Sequence, residues 1–179
     1  MKTIAEMNLQ ELAAFVCSHL QRHDIPVVLV GGSCVSIYSD NHYQTADLDF
    51  VERYHTKRTA LNKALAEIGF VEENRYFVHP ESAWFLEFPT GPLAIGDGPV
   101  HELNQVETDT GVLTLLTPTD CIKDRLAAFF HWKDRQALQQ AVWVAERRTF
   151  DRSEVVAWAE REGMTDKLAE FLAALDKHL

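Results

Sequence analysis

A chain of 179 residues, 46% hydrophobic and 25% charged, can build one domain with a full core or a catalytic domain with a helical extension, and its composition excludes disorder and fibrous repeats. The formal net charge of −10 argues against a nonspecific grip on a nucleic-acid backbone, which draws its free energy from cationic side chains. Residues 1–15 show no positive segment leading into an apolar run, and no apolar stretch nears the roughly 20 residues of a membrane helix, so a soluble cytoplasmic protein with no membrane contact is expected.

Asn8, with Glu11 three residues on, forms a capping pair, and Leu9, Leu12, Ala13, Val16 and Leu20 recur at helical spacing, which predicts an amphipathic helix ending near His23. After Pro26, the β-branched run Val27, Val28, Leu29, Val30 reads as a strand buried on both faces, stopped by Gly31 and Gly32. A short helix over 34–38 and a polar loop at Asp40, Asn41 and His42 follow. Residues 47–52 then alternate, with Asp47, Asp49 and Val51 on one face and Leu48, Phe50 and Glu52 on the other.

Thr56 is the expected cap of a helix carrying Leu61, Ala64, Leu65 and Ile68, which Gly69 ends. Short strands are predicted at 70–71, 76–78, 84–88 and 93–95, separated by Asn, Pro and Gly, so the sheet should continue by hairpins. A last strand at 111–116 precedes Thr117 and Pro118, a helix cap with proline in the first helical position. From there helices are predicted at 120–132, 134–147, 151–162 and 165–179, with caps at Thr117, Asp151 and Thr165. Trp132 and Trp143 are expected in the helical core. Cys17, Cys34 and Cys121, odd in number and far apart, are expected as reduced core thiols. The fold class is therefore α/β (α+β): a mixed sheet flanked by helices over residues 1–117, and a helical C-terminal part over 118–179.

The chemistry concentrates in residues 28–50. Glycine lets a backbone approach a ligand closely, and amides at a helix N-terminus attract phosphate, so Gly31, Gly32 and Ser33 are candidate nucleotide-binding residues. Carboxylates two apart on a strand share a face, so Asp47 and Asp49 can hold one hard cation such as Mg²⁺. Two such ions about 3.5 to 4 Å apart would serve an in-line displacement at phosphorus. Each feature alone has a bland reading, as a strand-to-helix turn or an exposed strand face. Together they are hard to explain as packing, because carboxylates on an apolar strand need paired charge or metal.

The Gly31-Gly32-Ser33 turn followed by Asp47-Leu48-Asp49 resembles the signature of the DNA polymerase beta-like nucleotidyltransferase superfamily. That resemblance implies Gly-Ser contact with a triphosphate, Mg²⁺ on the aspartates, and a third carboxylate on a later strand as ligand or base. Glu87, within the apolar run Trp84-Phe85-Leu86-Glu87-Phe88, is the candidate, set against a salt bridge to Arg75 or Arg125; Asp97, between Gly96 and Gly98, is its rival. The run Thr117-Pro118-Thr119-Asp120, then Lys123 and Arg125, then Lys133-Asp134, is similar to the AbiEii-like toxin branch, where Arg125 stands in a place more often held by lysine. Lys123 and Arg125 would then reach the triphosphate, with Asp134 orienting one of them; the bland alternative is the polar face of a helix.

The function implied is transfer of a nucleoside monophosphate from an NTP to a hydroxyl on a tRNA, a protein or a small molecule, as a toxin opposed by an antitoxin partner. The alternatives are a catalytically silent nucleotide-binding or protein-interaction module, and a metal-dependent phosphohydrolase.

Overall fold

The structure is a computed structural model describing residues 1–177. Helix α1 (Leu9–Arg22) begins at Asn8, whose side chain accepts from the Glu11 amide while Glu11 returns the bond to the Asn8 amide, and ends at His23. Its apolar stripe is buried across three strands, β1 (Val27–Val30), β8 (Leu103–Thr108) and β9 (Gly111–Leu116). Strand β1 passes directly into α2 (Gly31–Tyr38), so the predicted short helix starts three residues earlier, at the glycines themselves. Strand β2 (Asp47–Glu52) runs antiparallel to β1, with Leu48 and Phe50 buried and Asp47 and Asp49 on the other, half-buried face.

Helix α3 (Arg58–Ala66) is not capped by Thr56: Lys57 precedes its first turn, and the Thr56 hydroxyl donates to the Tyr54 carbonyl instead. Gly69 does end the segment, at φ +84°. Three short strands follow, β3 (Val71–Glu73), β4 (Tyr76–Val78) and β5 (Phe85–Glu87). The main sheet has seven strands in the order β3-β4-β5-β2-β1-β9-β8, with β5 parallel to β2 and β9 parallel to β1, and the remaining neighbours antiparallel. The strand expected at 93–95 forms instead a separate two-stranded ribbon of β6 (Ala94–Ile95) and β7 (Gly98–Pro99), which packs on α4 (Pro118–Trp132).

Helix α4 is capped by Thr117, and Asp134 and Asp151 cap α5 (Arg135–Arg147) and α6 (Arg152–Arg161); α7 (Thr165–Asp176) starts after Met164 without the side-chain cap expected from Thr165. One apolar cluster runs from α1 through the sheet into α4, α5, α6 and α7. All three cysteines are free and buried within it, and burial raises the Cys17 thiol to about 12. Trp132 is corrected: it is 82% exposed. It is the last residue of α4, where the chain leaves the helix at Lys133 in the left-handed conformation, just past the packed turn of Phe129 and Phe130. Trp143 is half-buried, edge-on to His42 at 4.8 Å and stacked with Tyr43 at 6.4 Å between centroids. Among the described residues no helix is long and apolar enough to cross a membrane.

Candidate functional site

Strand register assembles the site. In the parallel pairing of β2 with β5, Asp49 stands opposite Glu87 and Asp47 opposite Phe85. Alternation along β2 puts Asp47 on the same side as Asp49, so three carboxylates meet, with oxygens all within 4.8 Å of one another. Like charges side by side on neighbouring strands repel. Burial, then Asp47 and Glu87, push the Asp49 carboxyl up to about 7, against the pull of Arg125. Glu87 pairs with Arg75 at 3.5 Å, whose side chain is 72% exposed and so offsets little of that charge. Both readings of Glu87 are thus present in the geometry: it joins the aspartates and it pairs with Arg75.

The glycine turn is built onto this cluster. Gly31 has φ +64°, and a Cβ there would fall 2.6 Å from Asp49 Oδ2, so only glycine leaves room for both the turn and the carboxylate. The first-turn amides of α2, which no intrahelical carbonyl can satisfy, lie next to the acids as a consequence. Ser33 takes a different part from the one its sequence position suggests. It is fully buried; its hydroxyl donates to the Val30 carbonyl at 2.9 Å and accepts from the Asp49 amide at 3.2 Å, tying β1, α2 and β2 together rather than reaching outward.

The candidate cations separate. Lys123 and Arg125 are two apart on α4, so their side chains diverge by about 200°. Arg125 lies on the Asp49 side; burial works against its charge, which is held by Asp124, paired with it at 2.6 Å. Lys123 turns the other way and is buried between Asp120 and Glu154, each at 2.8 Å. Asp134 is exposed and caps α5 by accepting from the Ala137 amide at 3.1 Å, so it orients neither cation. Asp97 is exposed in the β6–β7 turn, where its amide donates to Glu162, away from the carboxylate cluster.

Lys123→Met is therefore expected to leave NTP affinity unchanged while costing about 3 kcal/mol of stability, since it strands the buried Asp120 carboxylate. Urea unfolding and nucleotide titration of one preparation check both halves; a nucleotide defect without a stability defect would return Lys123 to the site.

Two site residues escape notice in the sequence. Thr45 donates to Asp47 Oδ1 at 3.0 Å and fixes that carboxylate; the alternation Thr45, Asp47, Asp49 was its signal. Tyr43 lies against Gly32, 3.1 Å from where a Cβ would stand, and no local pattern announces that return of the loop.

No family model and no curated protein matches the chain. Among solved structures it is similar to an antigenic nucleotidyltransferase-like protein from Paracoccidioides brasiliensis, with a TM-score of 0.63 at 14% identity, over 94% of this chain and 92% of that one. It is also similar to the antibiotic-resistance factor ANT(2'')-Ia: TM-score 0.49 and 15% identity for its solution structure, over 95% of each chain, and 0.45 and 13% for its crystal structure with adenylyl-2''-tobramycin, over 92% of this chain and 94% of that one. The fold is thus nucleotidyltransferase-like: a seven-stranded mixed sheet flanked, among the described residues, by seven helices.

Proposed function

We propose that the chain is a Mg²⁺-dependent nucleotidyltransferase, with Asp47 and Asp49 as metal ligands and Glu87 as third carboxylate. The observation that carries this reading is the convergence of three carboxylates from two strands beside a glycine turn, with Asp49 among them raised to about 7. Hard oxygen donors in such a cluster fit Mg²⁺, and a cation there offsets repulsion that Arg75 and Arg125 leave. When bound, Mg²⁺ supplies charge neutralisation at the triphosphate and at the departing pyrophosphate.

The chain's own residues do the rest. Gly31 and Gly32 open the α2 amides to phosphate, and Ser33 holds that turn against β2 so that the amides and Asp49 keep one spacing. Arg125 keeps part of the Asp49 charge in its ionised, ligating form. Glu87, opposite Asp49 on β5, takes the proton of the acceptor hydroxyl in this reading.

A groove of about 460 Å³, bordered by Ser36, Asn41, Gln44, Thr45 and Trp84, adjoins the carboxylate cluster at Thr45, which lines it and holds Asp47; none of the three carboxylates lines it. Its size suits a small molecule, and Ser36 Oγ in its wall is buried without a protein partner. That favours a small polyhydroxyl acceptor over a tRNA, which the net charge of −10 also disfavours; protein modification, a toxin role and an antitoxin partner rest on the sequence resemblance alone.

Isothermal titration with each of the four NTPs, with and without Mg²⁺, tests the reading. Mg²⁺-dependent binding that disappears in Asp47→Asn/Asp49→Asn is the expected result. Binding that survives the double substitution, or no binding of any NTP, would leave a silent module as the better description. Glu87→Gln should lower pyrophosphate release with acceptor by about 100-fold while NTP affinity moves little, the pattern of a base and not of a positioning salt bridge.

A further inference from the structure

A second cluster of ligating side chains lies where α1 and α3 end together. His19, in the last turn of α1, and His23, its C-cap, are four residues apart and share one face. Their ring centroids are 4.7 Å apart. Glu67, the C-cap of α3, brings its Oε2 to 2.9 Å from His23 Nε2 and 3.9 Å from His19 Nε2.

His19 is buried, and its Nε2 lies 2.7 Å from the Ala64 carbonyl. A carbonyl only accepts, so Nε2 donates there in the metal-free chain; Nε2 is also the nitrogen that faces Glu67, and binding an ion exchanges that hydrogen, and its bond to Ala64, for the metal.

From this arrangement we infer a second metal site, formed by His19, His23 and Glu67, for a borderline divalent cation of the Zn²⁺ class. The donor atoms lie within 4.8 Å of one another. Two imidazole nitrogens and one carboxylate oxygen suit Zn²⁺, Co²⁺ or Ni²⁺ far better than Mg²⁺, whose preference is for oxygen alone. Three protein ligands leave the fourth position to water, and His23 and Glu67 at the surface give the ion its route in. The site shares no residue with the Asp47, Asp49 and Glu87 cluster. It pins the end of α1, which covers β1, β8 and β9, to the end of α3, which follows β2, so the bound ion stabilises the folded chain.

The test uses the full chain carrying Asp49→Asn, which disables the carboxylate cluster as a competing site, and titrates it with ZnCl₂ and with CoCl₂. One strong Zn²⁺ site should remain, with a rise in unfolding temperature and an intense Co²⁺ visible band of tetrahedral type. Adding His23→Ala or Glu67→Gln, both surface changes that the fold tolerates, should weaken Zn²⁺ binding by about 100-fold and remove the thermal shift and the band. Absence of a strong site in Asp49→Asn, or its persistence after His23→Ala, overturns the inference. Neither result bears on the nucleotide reading, which is measured with Mg²⁺ and NTP.

Discussion

Asp49→Asn should make the metal-free protein more stable at pH 8 while abolishing Mg²⁺-dependent nucleotide binding. The Asp49 carboxyl rises from 3.8 to about 7 on folding, so between those values the folded chain binds a proton that the unfolded chain releases. Its contribution to stability is fully present below 3.8 and is lost as pH rises through about 7. Each unit corresponds to about 1.4 kcal/mol, and with a discount for the site's open side on the order of 2 to 3 kcal/mol is forfeited above neutrality. Asparagine keeps the shape without the charge.

The variant should therefore melt about 4 to 8 °C above wild type at pH 8 in EDTA. That gap should close near pH 4, where the wild-type carboxyl is protonated in the fold. Mg²⁺ should raise the wild-type melting temperature and leave the variant's unchanged, and Mg²⁺ affinity should climb with pH through 7, because the ion displaces a proton. Scanning calorimetry across pH, with and without Mg²⁺, reads all of these; a variant less stable than wild type at pH 8 would mean that Asp49 is held by contacts and not by an absent cation.

Gly31→Ala should do the opposite, losing stability and nucleotide binding together. The residue sits at φ +64°, which costs an L side chain about 1 kcal/mol, and its Cβ would stand 2.6 Å from Asp49 Oδ2. The carboxylate or the turn must move, for a total of about 2 to 3 kcal/mol. Removing the carboxylate separates the two costs: from the same Cβ position the Asp49 Cβ is 3.5 Å away, an ordinary contact. In an Asp49→Ala background the Gly31→Ala penalty should shrink to the backbone share, about 1 kcal/mol. A double-mutant cycle by urea unfolding measures this, and additive effects would show that turn and carboxylate are not in contact.

These residues also show what a sequence can and cannot disclose. The alternation that puts Asp47 and Asp49 on one face, the capping pair at Asn8 and Glu11, and the Thr117-Pro118 start of α4 are local patterns, and each reappears in the structure. Glu87 was legible for another reason: an acid in an otherwise apolar run needs a partner, whichever strand supplies it. Its exact neighbour was not, because the parallel pairing of β5 with β2 is fixed by the whole sheet.

Strand β8 went unread since an edge strand with Asn104, Gln105 and Glu107 has little apolar alternation, although Asp109 to Gly111 marks the hairpin turn that leads into β9. The roles of Ser33, Lys123 and Asp134 depended on what lies opposite: Val30 and Asp49, then Asp120 and Glu154, then the first turn of α5. A motif names residue types, whereas burial and partners decide which of them face the ligand. The isolated ribbon of β6 and β7 follows the same rule, since its packing on α4 is a tertiary contact, and the exposure of Trp132 follows from its place as the last residue of α4.

The most direct test of the nucleotidyltransferase reading is a crystal structure of the full chain grown with Mn²⁺ and a non-hydrolysable NTP analogue, using the anomalous signal of manganese to locate the ion. A peak between Asp47 and Asp49 is expected, with the triphosphate over Gly31 and Gly32. An ordered analogue bound elsewhere, or a site at Asp47 and Asp49 that stays without an anomalous peak, would contradict it.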